Sequence, residues 1–306
     1  MQQIALILPF LGYSQKQLNR ELMIENDNDA YTLNLTRDQY YSNGVALRYR
    51  TLLNPEKWSE NVTKQIISFD VNHRIYTPKR LWWEELEQLD RPYAGQLSAS
   101  VSKEFYYKSQ RYFKIKGELG WMGPAIQTGE IQYNWHKTFG MQLPLAWQFE
   151  IGNAPLINTY ATYAFRLFGM ESFELLSESN GALGTSFIHA RQEIMVRVGL
   201  FKPINESTQF NGVTGNIHNG ARNHEIYFFI SPGIEYVPYN STIEGHFWGE
   251  SSIHTEDRVA WVGQTRIGVM ASWTTFDFGL IYYRRTEETT EAVPHKYVGI
   301  RMNQRF

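Results

Sequence analysis

The chain has 306 residues, a formal net charge of −2 and no cysteine. This excludes a polybasic nucleic-acid binder, a disulfide scaffold and any thiolate or sulfur-ligated metal chemistry. Aromatics make up 15 % of residues, with 9 Trp and 19 Tyr, yet mean hydropathy is −0.42 and no apolar run approaches the roughly 20 residues of a membrane helix. Rich in aromatics but not hydrophobic on average, the chain has the balance of a transmembrane β-barrel, whose polar lumen-facing residues dilute an apolar outer face.

In chain order, Ile4 to Tyr13 form an apolar block too short to span a bilayer as a helix, followed by polar residues. It reads as the hydrophobic region of a secretory signal, residues 1–15, which leaves 16–306 as a single barrel domain. No Lys or Arg precedes the block, so a buried first strand is the other reading. The first strand candidate is Leu18 to Asn26. It runs into "IENDNDAYTLNLTRDQYYSNGVALRYRT", Ile24 to Thr51, a crowd of Asn and Asp that ends in a second strand, Asn43 to Leu53. There Val45, Leu47 and Tyr49 alternate with Ala46, Arg48 and Arg50, the period of two that gives a strand one apolar and one polar face.

Lys64 to Tyr76 and Tyr93 to Tyr106 follow. "FKIKGELGW" then sets Phe113, Ile115 and Leu119 against Lys114, Lys116 and Glu118. Further candidates are Trp147 to Phe168, Ser172 to Leu183, Phe187 to Phe201, Glu225 to Tyr239 and Arg258 to Ala271. "TFDFGLIYY" groups Phe276, Phe278, Leu280 and Tyr282. The terminal "YVGIRMNQRF" sets Val298, Ile300 and Met302 against Gly299, Arg301 and Asn303, and ends on Phe306. The tally is twelve strands, an even number suited to a closed antiparallel barrel with no edge for lipid to desolvate. A soluble sandwich is the competing architecture, but its strands are usually about 5–6 residues and several segments here exceed ten.

With the N-terminus in the periplasm, the outward turns gather three polar clusters at the extracellular rim. They are "ENDND" with "YSNG", "YTPKR" with "DRPYAG", and "GWMGPAIQTGEIQYNWHKTFG". Each has an ordinary reading. Asn26 and Asp27 suit an Asx turn, and Asn43-Gly44 is a strong turn signal. Lys79 and Arg80 suit solvated loop charges.

Occurring in this order, the motifs resemble the outer-membrane lipid A 3′-O-deacylases, barrels that remove the 3′-linked acyloxyacyl chain of lipid A. The resemblance implies lipid A or lipopolysaccharide as substrate, outer-membrane lipids as surroundings and the barrel-assembly machinery as a partner in biogenesis. Nucleic acid is not implied. Carried over by position, the family's Asn-Asp pair falls on Asn26 and Asp27, its hydroxyl on Ser42 and its histidine, twelve residues after Gly-Pro, on His136. The family's active-site lysine has no clean counterpart; Lys79 and Arg80 lie a few positions early and suit a phosphate grip. The implied chemistry is Ca²⁺-dependent ester hydrolysis. His136 acts as general base, Asp27 is a metal ligand, Asn26 serves the oxyanion, and Ser42 holds water or is itself the nucleophile. "DNDAYTLNLTRD" is no EF-hand loop, since Thr32 stands where glycine is needed. The alternatives are an outer-membrane phospholipase A-type esterase, disfavoured because Tyr40 stands where its histidine belongs, and a non-catalytic porin-like barrel.

Overall fold

A computed structural model describes residues 18–32, 39–54, 59–216 and 224–306. The expected signal segment lies outside them. Twelve strands run in chain order: β1 Arg20–Asn28, β2 Tyr40–Leu52, β3 Val62–Thr77, β4 Ala94–Tyr107, β5 Arg111–Met122, β6 Ala154–Gly169, β7 Phe173–Gly184, β8 Phe187–Leu200, β9 Glu225–Asn240, β10 Trp261–Ser272, β11 Phe276–Arg285 and β12 His295–Arg305. Each pairs antiparallel with its chain neighbours, and β1 pairs with β12 to close the barrel. The sixth strand starts later than expected. Trp147–Phe149 form a 3₁₀ turn instead, because Trp147 packs against Tyr93.

The wall is inverted relative to a soluble protein. In β1, Glu21 and Met23 are fully buried while Leu22 and Ile24 are 40 % and 43 % exposed. Val45, Leu47, Phe69, Val71, Ile115 and Leu119 continue this apolar belt around the outside. In water each such side chain would forfeit up to roughly 1.5–3 kcal/mol of burial; in lipid it forfeits little. No helix among the described residues is long and apolar enough to cross a membrane.

The lumen is filled with paired charge. Arg50 donates to Glu21 and to Glu104 at 2.6 Å each, and Arg305 grips Asp277 with two nitrogens at 2.5 and 2.8 Å. Removing one partner from such a buried pair costs about 3–5 kcal/mol, because it strands the other charge. Residues 203–216 of the β8–β9 connection, at the end of the barrel where β1 begins, turn into the barrel. Arg50 donates to the Asn211 carbonyl at 2.9 Å and Tyr106 to that of Phe210 at 2.7 Å. Lys64 donates to the Thr214 carbonyl at 3.0 Å and to Asn216 at 2.6 Å. Ile204 and Phe210 pack with Tyr106, Tyr112, Phe229 and Met270. This plug argues against an open channel. In planar bilayers the intact protein is expected to show no stepwise conductance, and deletion of residues 203–216 to produce it; steady conductance from the intact chain would contradict the plug.

Candidate active site

Three rim segments build the site. The first is the top of β1 and β2. Asn26 and Asn28 face outward in register with Val45 and Asn43, continuing the face of Leu22 and Ile24. β2 carries a bulge: Tyr41 pairs with Tyr76 and Asn43 with Ile75, so Ser42 is an extra residue with no partner on β3. Such a bulge re-aims side chains at a sheet rim.

The second segment is the helix α1, Thr128–Phe139. It buries Thr128, Gln132 and His136, spaced by four, and exposes Ile131, Trp135 and Phe139. Gly140 ends it at φ 64°, a left-handed conformation that suits glycine, which lets the Met141 amide return to the His136 carbonyl at 2.8 Å. The third segment is the β3–β4 loop. Leu81, Leu89, Tyr93 and Ala146 form a small core that pins this loop and the segment after α1 to each other, with Trp147 packed alongside. The Leu145 amide donates to the Leu81 carbonyl at 2.9 Å.

Between α1 and the outer surface of β1–β3 lies a cavity of about 510 Å³. Asn26, Asn28, Asp29, Ser42, His73, Gln132 and His136 supply its polar lining; Val45, Ile75, Leu81, Trp82, Ile131 and Trp135 supply apolar walls. His136 is 5 % exposed, and its Nδ1 meets the Gln142 carbonyl at 2.5 Å. A carbonyl only accepts, so Nδ1 carries the proton and, in the neutral ring, Nε2 keeps the lone pair. Trp147 donates to Gln132 Oε1 at 2.9 Å, which turns the Gln132 amide nitrogen toward Ser42 Oγ at 3.4 Å. Asn26 donates to the Gly44 carbonyl at 2.9 Å and accepts from the Tyr31 hydroxyl at 2.6 Å.

The structure thus brings Asn26, Ser42 and His136 into one cavity. It does not bring Asp27 there. Asp27 takes the opposite face of β1, where it lines a luminal cavity with Tyr41, Arg74 and Tyr297. Among the described residues the carboxylate lining the outer cavity is Asp29, which is buried and accepts from the Gln39 amide at 2.5 Å. Lys79 and Arg80 stand beside the cavity without lining it. The Lys79 amide donates to Asp90 at 3.0 Å, and the Arg80 guanidinium lies 5.4 Å and 5.7 Å from the ring centroids of Trp82 and Trp83. Sequence reasoning missed Asp29, Gln132 and His73, whose Nε2 meets Thr128 Oγ1 at 3.0 Å.

"DRPYAG" is architectural. Asp90 accepts from the Tyr40 hydroxyl at 2.6 Å, and Arg91 reaches Glu288 at 2.9 Å and Thr242 at 2.6 Å. Burial works against the Glu288 charge, but Arg285, His295 and Arg91 overcome it and hold the carboxyl down to about 2.

Glu150, which ends the 3₁₀ turn beneath α1, behaves oppositely: burial pushes it from 4.5 to about 8. The folded cap therefore holds a proton that the unfolded segment releases, so its stability is full below pH 4.5 and falls as pH rises through 8. Amide exchange in α1 is expected to be faster at pH 9 than at pH 5 after correction for intrinsic rates. Glu150→Gln is expected to remove the difference; an unchanged difference would contradict the assignment.

A family model for the outer membrane protein LpxR matches residues 3–306. The chain belongs to the LpxR family. Family membership and the closed barrel make it an outer-membrane, lipid A-modifying protein. Among solved structures it is similar to LpxR from Salmonella typhimurium, with a TM-score of 0.75 at 18 % identity over 94 % of this chain and 100 % of that one. At that identity the likeness speaks for the fold. An outer membrane channel from Pseudomonas putida F1 matches with a TM-score of 0.47 at 9 % identity, covering 98 % of this chain and 100 % of that one. No curated protein sequence matches significantly. In this LpxR family member the cavity lies against the outer, lipid-facing side of the wall.

Proposed function

We propose that this chain hydrolyses the 3′-linked acyloxyacyl ester of lipid A. One observation carries the reading: an imidazole, a hydroxyl and carboxamides converge in a cavity outside the barrel wall, where an acyl chain arrives from the bilayer without crossing water. In a soluble enzyme such a cavity would open to solvent; here its apolar walls continue the belt of Val45 and Leu47.

His136 takes the proton from the attacking water through Nε2, its ring held by the Gln142 carbonyl. Gln132 donates to Ser42 Oγ, which leaves the hydroxyl's own proton for water or the ester. Asn26, pinned at both ends of its amide, supports the carbonyl end of the ester. Lys79 and Arg80, beside the mouth, offer charge to the lipid A phosphates.

The donors fit a hard cation. Asp29, Asn28, Asn26 and Ser42 offer oxygen donors to one cavity, and no group of three His, Cys, Asp or Glu suited to a metal occurs among the described residues. One carboxylate with amide oxygens suits Ca²⁺, which completes six to eight oxygens with waters and substrate. Asp29 and Asn28 would hold it, in place of the luminal Asp27. When bound, the ion supplies positive charge toward the ester carbonyl.

The test is purified protein with lipid A and, separately, with phospholipid in mixed micelles, the products read by mass spectrometry. Release of the acyloxyacyl group from lipid A supports the proposal. Lysophospholipid would instead support the phospholipase reading.

A further inference from the structure

We infer that Tyr41, inside the barrel, is the positioning residue that aims Ser42 outward into the cavity. The inference rests on the function proposed above for the role of Ser42, but its geometry stands apart from any activity. On β2, Gly44 and Ala46 alternate inward while Asn43 and Val45 face out. An unbroken strand would therefore turn Ser42 into the lumen and Tyr41 toward lipid. The bulge reverses both: Ser42 lines the outer cavity and Tyr41 the luminal one.

What holds the reversed state is a seat made for the Tyr41 ring. Its centroid lies 5.4 Å from that of Tyr76 and 5.0 Å, edge-on, from that of Tyr297. The hydroxyl lies over Gly44, where a Cβ would come within 1.8 Å of it and 2.7 Å of Cζ. Only glycine leaves room for the ring there. The hydroxyl also reaches Asp27 at 3.3 Å, a long contact for O–H···O, so ring packing carries most of the lock. Asp27 in turn packs on Gly299, where a Cβ would meet its Oδ1 at 2.5 Å. Tyr41 adjoins Ser42 in the chain, so a ring that leaves its seat rotates the bulge with it.

The native chain has no cysteine, so Ser42→Cys supplies a sole thiol. A maleimide carried on an acyl chain reaches thiols from the bilayer side. In proteoliposomes, labelling is expected to be equally fast with Tyr41 or Tyr41→Phe, and slower by about tenfold or more with Tyr41→Ala or Gly44→Ala. Heat-modifiable mobility selects the folded barrel, and Gly44→Ala keeps the test decisive should Tyr41→Ala fail to fold. Labelling indifferent to all three changes would overturn the inference. In the Ser42 background, Tyr41→Ala is expected to lower kcat on lipid A on the order of 10²-fold, the scale of an ångström's misplacement, with KM little changed and Tyr41→Phe close to wild type. A wild-type chain inactive on lipid A would end the proposed function yet leave the labelling result intact.

Discussion

Replacing His136 with alanine is expected to lower kcat for ester hydrolysis by about 10²–10⁴-fold, the usual contribution of a placed general base. KM for lipid A should move little, because the apolar wall of Val45, Ile75, Leu81 and Trp82, where the proposal seats the acyl chain, is untouched. Loss of the imidazole also leaves the Gln142 carbonyl without its donor, a local cost of about 1–3 kcal/mol. The twelve-strand wall does not depend on that bond, so heat-modifiable mobility should persist. His136→Gln separates the two effects, since its amide can donate to the carbonyl but cannot act as base near neutral pH. A folded His136→Ala barrel with full activity would remove the base from the account.

Chelation with EGTA is expected to silence the proposed ester hydrolysis, and added Ca²⁺ to restore it. The physical ground is the donor set: hard oxygens around the buried carboxylate of Asp29. Ligand charge sets calcium affinity, so Asp29→Asn should raise the calcium needed for half-maximal activity on the order of tenfold or more. Asp27→Asn should leave that requirement near wild type, because the Asp27 side chain sits on the other side of the wall. The contrast between two acids two residues apart is sharper than chelation alone. Activity indifferent to EGTA would refute the metal, and a calcium requirement shifted only by Asp27→Asn would return the ligand to that residue.

The strands were legible because lipid and lumen impose opposite demands on alternate residues. Phe278 and Leu280 face out and Asp277 and Ile281 face in, as the alternation of "TFDFGLIYY" predicts. The same period was available for Asp27: Leu22, Ile24, Asn26 and Asn28 share one face, so the acid between them had to point inward. Asn26 and Asp27, adjacent in sequence, therefore line cavities on opposite faces of β1. Helix α1 falls in a segment expected only as a polar rim cluster, although Thr128, Gln132 and His136 lie four apart with Ile131, Trp135 and Phe139 beside them and Gly140 closing the run. The bulge at Ser42 was not legible, because it depends on Tyr76 and Tyr297 from strands distant in the chain. The plug was not legible either. Its contacts are mostly backbone carbonyls offered to Arg50, Lys64 and Tyr106, and carbonyls leave no mark on side-chain pattern.

The most direct measurement is the mass spectrum of lipid A from cells with and without the protein, alongside a folded His136→Ala control. Lipid A that lacks its 3′ acyloxyacyl group only when the intact protein is present is the result expected. Unaltered lipid A from cells whose outer membrane holds the folded barrel would contradict the placement of ester chemistry on its outer wall.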